Sequence, residues 1–265
     1  MVPIRLDTYL FERGDYPSRE QAKRAIMAGE VGIEGRHSTI TPGTRVREDE
    51  RVTVKRRRDC FVSRGGEKLQ KALDEWEIDV DEESAIDIGA STGGFTDCLL
   101  KNGASRVIAV DVGYGQLDWG LRCDPRVSVL ERTNARYIQA DELPFMPDLA
   151  VVDVSFISLK KLVPTIFRII AENGMIIALV KPQFEAGRRK VGKGGVIRDS
   201  EVHCEVLNDL LTFFQEEDIS VKGMIPSPLK GPAGNIEFLL LLRRGEGWPE
   251  EDEVRKIVEK AWSHS

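Results

Sequence analysis

Two charged residues stand at the exits of apolar runs in this chain. Asp153 follows Leu149-Ala-Val-Val152, and Lys181 follows Met175-Ile-Ile-Ala-Leu-Val180. A second lysine, Lys68, closes Ser63-Arg-Gly-Gly-Glu-Lys68, and Glu237 closes Gly234-Asn-Ile-Glu237. Charges in such places are unusual unless they are paired or functional. Paired, the four residues give structural salt bridges. Gathered around an alcohol they can do chemistry: a base takes the hydroxyl proton and ammonium groups support the developing alkoxide. The four cysteines, Cys60, Cys98, Cys123 and Cys204, lie far apart and lack metal-ligand spacing. They read as reduced, mostly buried thiols, and no metal is expected.

A second constellation lies in Ala85-Ile-Asp87-Ile-Gly89-Ala90-Ser91-Thr-Gly93-Gly94-Phe95. A strand ends at Gly89, a glycine-rich turn follows, and a helix begins near Gly94. Glycines let a backbone approach a ligand closely, and a helix start offers unpaired amides to it. The glycines fall at offsets zero, four and five, which is not the dinucleotide fingerprint, and the Lys-Ser/Thr ending of a P-loop is missing. Asp111 ends the next strand, 24 residues past Asp87, where it can accept both hydroxyls of a ribose. The plain alternative is a turn and a surface aspartate.

These residues need a scaffold that brings strand ends together. From residue 84 the pattern alternates buried strands with amphipathic helices. Strands are predicted at 85–88, 106–110, 127–130, 149–152, 175–180, 220–225 and 236–242, and helices at 95–102, 116–123, 159–172 and 202–217. Such alternation predicts an α/β fold with a mostly parallel sheet, helices on both faces and ligands at the strands' carboxyl ends. Only the short PSPLKGPAGN segment joins the last two strands, so they should form an antiparallel hairpin. On this reading Glu237 begins the last strand, Lys68 precedes the first helix of the domain, and the strands before Asp153 and Lys181 neighbour the first.

The head of the chain differs. Residues 1–58 hold 13 Lys and Arg against 9 Asp and Glu, or +4, while the remainder holds 25 against 35, or −10. A basic head on an acidic body suggests contact with phosphate, against the alternative of a solvated charged surface. A helix over 4–13 and another from Ser18 to about Gly29 are followed by short strands at 31–33 and 51–55. Arg5 lies at the start. Arg19, Lys23 and Arg24 fall largely off the apolar stripe of the second helix. The expected organisation is a head at 1–58, a link at 59–63 and a main domain at 64–265. Arg64, Arg188 and Arg189 add basic groups near the chemistry, the last two in the glycine-rich stretch 181–195.

The run RLDTYLFERGDYPSREQAKRAIMAGEVGIEG resembles the S4-type RNA-binding module over residues 3 to about 55. DIGASTGGF with AVDVGYGQL resembles the FtsJ-like S-adenosylmethionine methyltransferases, whose sheet is Rossmann-like with seven strands, the last antiparallel. That resemblance implies that Gly89 to Phe95 wrap the methionine portion of the cofactor, Asp111 holds its ribose and Asn134 meets its adenine. Lys68, Asp153, Lys181 and Glu237 match the Lys–Asp–Lys–Glu tetrad of the ribose 2′-O-methyltransferases in this group. By the resemblance, Lys181 takes the 2′-hydroxyl proton, Asp153 orients Lys181 and faces the sulfonium, and Lys68 and Glu237 orient the ribose.

With VSRGGEKL, VVDVSFISL, LVKPQFEAG and NIEFLL added, the chain is similar to the TlyA (hemolysin A) family along nearly its whole length. The family implies 2′-O-methylation of cytidine in ribosomal RNA, with ribosomal RNA or ribosomal subunits as partners. The start, close to the first helix, favours the large subunit alone. An Asn/Asp-Pro-Pro-Tyr-like motif, expected of a base methylator, is replaced by Asp153-Val-Ser-Phe156. Phe156 could stack on a base or fill core, and core is the expectation. Two other classes stay in view: a membrane-active hemolysin and a non-catalytic ribosome-assembly factor. The absence of a secretion-type start and of a long apolar run speaks for a cytoplasmic protein without membrane contact, and a monomer is favoured.

Overall fold

The computed structural model describes residues 3–16, 18–27, 31–36, 40–47, 50–54, 61–187, 190–192, 194–245, 247 and 251–263. The chain divides into two compact units, Met1–Cys60 and Phe61–Ser265.

The first unit comprises β1 (Ile4–Arg5), α1 (Leu6–Glu12), α2 (Arg19–Met27), β2 (Val31–Ile33), β3 (Arg45–Val46) and β4 (Val52–Val54). The 4–13 segment is therefore a strand turning into a helix, because β1 pairs antiparallel with β3. β2 pairs separately with β4. Leu6 and Leu10 on α1 and Ala22, Ala25 and Ile26 on α2 close a small core over Val31, Ile33 and Val46. The four-residue spacings place each helix's apolar groups on one stripe.

The second unit opens with α3 (Gly65–Glu75) and continues through β5 (Ser84–Ile88), α4 (Gly94–Lys101), β6 (Arg106–Val110), α5 (Trp119–Arg122) and β7 (Val127–Leu130). It then runs through β8 (Leu149–Val152), α6 (Val163–Ile169), β9 (Met175–Val180), α7 (Pro182–Glu185), α8 (Ser200–Glu216), β10 (Ile219–Pro226), β11 (Phe238–Arg244) and α9 (Glu251–Ser263). One seven-stranded sheet has the order β10-β11-β9-β8-β5-β6-β7. β11 runs antiparallel to both neighbours, and the pairings from β9 to β7 are parallel. Alternate strand residues feed two cores: Ile86, Ile108, Ala150 and Val152 face one side, and Ala85, Val107, Leu149 and Val151 the other. Helices cover both faces, which is why the strands read as unbroken apolar runs.

Several expectations need correction. Lys68 lies within α3, one turn from its start, not ahead of it. Glu237 precedes β11 by one residue, because pairing with β9 begins at Phe238. β8 neighbours β5, but β9 neighbours β8 and is one strand further from β5. The helix expected over 159–172 is a 3₁₀ turn at Leu159–Lys161 followed by α6, whose start carries Pro164, a residue without an N–H to give to the preceding turn. The helix expected over 116–123 shrinks to one turn, begun where the Asp118 carboxylate accepts from the Gly120 amide at 2.8 Å.

Candidate active site

The sheet carries the tetrad to one place. Lys68 on α3, Asp153 just past β8, Lys181 just past β9 and Glu237 just before β11 line a single cavity of about 530 Å³. They meet as two ion pairs, Lys68 Nζ to Glu237 Oε2 and Lys181 Nζ to Asp153 Oδ1, each at 2.6 Å. The pairs differ in exposure. The Lys68 and Glu237 side chains are 9% and 0% exposed, those of Lys181 and Asp153 14% and 24%. Burial pushes the Glu237 carboxyl above its ordinary range, against the pull of Lys68 and, more weakly, Lys181. Glu237 Oε1 is buried with no hydrogen-bond partner and packs against Gly231.

Lys181 Nζ also donates to Ser155 Oγ at 3.1 Å. Sequence reasoning passed over Ser155, whose signal was only its place two residues after Asp153. Asn235 is a second omission. This buried side chain accepts from the Ile197 amide at 3.0 Å and donates to the Gly195 carbonyl at 2.8 Å, tying the PSPLKGPAGN connection to the end of the 181–195 stretch. Arg64 lines the same cavity and donates to the Lys230 carbonyl at 3.2 Å. Arg188 and Arg189 lie outside the described residues.

Beside this cavity is a second one of about 480 Å³, and the two share Gly89, Ser91, Asp153 and Ser155. The turn after β5 forms their common wall. Gly89 has φ 89°, and a Cβ on it would come within 2.4 Å of the Asp153 carbonyl oxygen, so only glycine lets β5 and β8 end side by side. Gly93 has a different task from the expected one: a Cβ there would strike the Leu121 side chain at 2.3 Å, and Gly93 lines neither cavity. Ala90, Gly94 and Phe95 line the first cavity, with the Phe95 ring otherwise buried in core. Asp111 lines the second cavity and already accepts from the Ser91 and Gly113 amides at 2.8 and 2.6 Å, which fixes its carboxylate at the mouth. Asn134 lines that cavity too, and its side-chain oxygen accepts from the Arg136 amide at 3.1 Å, as a turn residue's would.

Asp87 is fully buried. Thr96 donates to its Oδ2 through both amide (2.9 Å) and hydroxyl (2.7 Å), while Oδ1 has no partner. Desolvation pushes its carboxyl up to about 7. A cofactor bearing a cationic amino group, a ribose and a flat base fits this donor set: Asp87 Oδ1 lacks a donor, Asp111 can accept from hydroxyls, and the second cavity is walled by Ile88, Val110 and Ile157.

Phe156 corrects the sequence reading. It is 89% exposed, with φ 64°, and its ring leans on Phe184 at 4.9 Å between centroids. The left-handed backbone turns the side chain out of the core into which its apolar neighbours pack.

Residues 61–244 match the FtsJ-like methyltransferase model, and residues 4–52 match the S4 domain. The chain belongs to the FtsJ-like methyltransferase family. Among FtsJ-like relatives, Bacillus subtilis YqxC, which bears an rRNA methyltransferase name, is 49% identical over 264 residues, covering 97% of this chain and 93% of its own. The 16S/23S rRNA (cytidine-2′-O)-methyltransferase TlyA of Mycobacterium tuberculosis is 44% identical over 240 residues, covering 90% and 89%. A solved structure named as a hemolysin, from Streptococcus thermophilus, superposes with a TM-score of 0.75 at 41% identity, covering 99% of this chain and 97% of that one. The hemolysin label has no counterpart in a spanning segment: among the described residues no helix is long and apolar enough to cross a membrane.

Proposed function

We propose that this FtsJ-like methyltransferase methylates the ribose 2′-hydroxyl of cytidine in large-subunit ribosomal RNA, acting as a monomer in the cytoplasm. The observation that carries the proposal is the convergence of the two ion pairs on one cavity, next to a second cavity suited to a nucleoside. S-adenosylmethionine, when bound, supplies an electrophilic methyl group. Asp87, Asp111 and the turn from Gly89 to Gly94 would hold it.

Lys181 is the base. Its Nζ donates to Ser155 Oγ and lies 2.6 Å from Asp153 Oδ1 in an ion pair, so these two neighbours hold the amine at the cavity where the substrate hydroxyl would lie. The Lys68–Glu237 pair, whose residues line the same cavity, orients the sugar. Exposed Phe156, at the rim beside Asp153, is available to stack on the target base, which restores the reading that the core expectation had set aside.

Purified protein, tritiated S-adenosylmethionine and ribosomal RNA from cells lacking this gene provide the test. The expected product, after digestion to nucleosides, is 2′-O-methylcytidine from the large-subunit RNA. Label on a base, or none on either RNA, would end the proposal.

A further inference from the structure

The first unit holds an acidic side chain where a nucleic-acid contact should be basic. Asp7 on α1 is completely buried, and two arginines converge on it. Arg5 makes a fork-on-fork pair, Nε to Oδ1 at 3.1 Å and Nη2 to Oδ2 at 2.9 Å. Arg19, one helix away on α2, brings its Nη2 to 3.6 Å from the same Oδ2. Thr8 donates to Oδ1 through its amide at 2.9 Å and its hydroxyl at 3.3 Å. The carboxylate is thus saturated from within the unit, while both arginine side chains remain about half exposed. Arg5 has donors to spare, because a guanidinium carries five N–H groups and Asp7 takes two of them. A Cβ on Gly43 would sit 3.4 Å from Arg5 Nη1, so the backbone supports the opposite side of that group.

Two like charges held beside each other repel, and long arginine side chains lose rotamer freedom when they bind. A buried carboxylate between them removes both costs in advance: it neutralises part of the repulsion and fixes the planes of the forks. We infer that Arg5, Asp7 and Arg19 form a preorganised site for one backbone phosphate of RNA, with Asp7 as its positioning residue. The inference rests on the proposed RNA substrate, and it makes a prediction opposite in sign to simple charge counting. Removing a negative charge from a phosphate-binding face should tighten RNA binding by Coulomb attraction alone. Removing Asp7 should loosen it.

The test uses the full chain and a transcript of large-subunit ribosomal RNA, with binding followed across a salt series. Asp7→Asn keeps the shape and is expected to weaken binding about tenfold, and to flatten the slope of log affinity against log salt by about one. Arg5→Lys and Arg19→Lys keep the charge but lose the fork, and should weaken binding similarly. Circular dichroism and thermal melting of each variant report whether the first unit still folds. If Asp7→Asn unfolds it, the two lysine variants decide. Wild-type affinity in a folded Asp7→Asn protein, or in both lysine variants, overturns the inference. If the wild type methylates this RNA while the variants bind it unchanged, only the inference falls. If the wild type neither binds nor methylates it, the proposed function falls as well.

Discussion

The candidate active-site cavity contains the same ion pair twice, in two surroundings. Lys68–Glu237 and Lys181–Asp153 are both lysine–carboxylate contacts of 2.6 Å, and each joins groups brought together by the sheet. The first is sealed between α3 and the start of β11, and its carboxylate has no exposed surface. The second stands at the open ends of β8 and β9, shares its lysine with Ser155, and keeps access to the cavity. A sealed pair is rigid and costly to disturb, because either charge left alone would stay out of water. A half-open pair can change partner at lower cost. On the proposed function the comparison teaches a division of labour: one pair would hold the substrate and the other would react with it.

The strongest way to break that comparison is Lys181→Ala. Loss of a general base removes roughly 10²–10⁴-fold in rate, and a weakly acidic ribose hydroxyl puts the expectation at the upper end. Cofactor affinity by calorimetry should stay within about twofold, and stability should fall less than on breaking the Lys68–Glu237 pair, because Lys181 and Asp153 keep more exposure. Methyl transfer within tenfold of wild type, at any pH, would remove Lys181 as the base and leave both pairs as structure.

The sealed pair should respond in the opposite way. Glu237→Ala leaves Lys68 buried without a counter-charge, which typically costs about 3–5 kcal/mol. A double variant, Lys68→Met with Glu237→Leu, exchanges the pair for apolar groups and should recover most of that stability while methyl transfer stays absent. Urea unfolding and the tritium assay on wild type, Lys68→Met, Glu237→Leu and the double variant complete the cycle. Activity recovered along with stability would show that the sealed pair is scaffold alone.

The scaffold for both pairs was largely legible in the sequence, for a reason specific to parallel sheets. Strands buried on two faces are written as short apolar runs, so six of the seven were visible to within one residue, together with the charges at their ends. The antiparallel run of β11 followed from a connection too short for a helix. What stayed hidden depends on distant partners. An exception is α9, whose Val254, Val258 and Ala261 form a buried stripe at a spacing the sequence itself shows. Phe156 looks apolar among apolar residues, and only its backbone angle turns it outward. Ser155, Asn235 and Asp7 act through hydrogen bonds or ion pairs that only the folded chain assembles, including Asn235 to a loop 40 residues away in the chain.

A third buried carboxylate sharpens the contrast. Asp87 shares the burial of Glu237 but has Thr96 where Glu237 has an ammonium group, and desolvation raises it from an ordinary 3.8 to about 7. The folded state therefore binds this proton more tightly than the unfolded chain. The resulting stability is complete below the unfolded value and is lost as pH rises through the interval up to about 7. Asp87→Asn fills the same space with a group that does not ionise, and its side-chain oxygen can still accept from Thr96. The variant should gain stability relative to wild type as pH rises across that interval, by at most about 4 kcal/mol at the upper end. Denaturant unfolding of both proteins from acid to neutral pH isolates the difference, since the other titrating groups are common to both. A constant offset between the two curves would mean that Asp87 titrates normally, and that burial without a cation does not set it apart from the paired carboxylates.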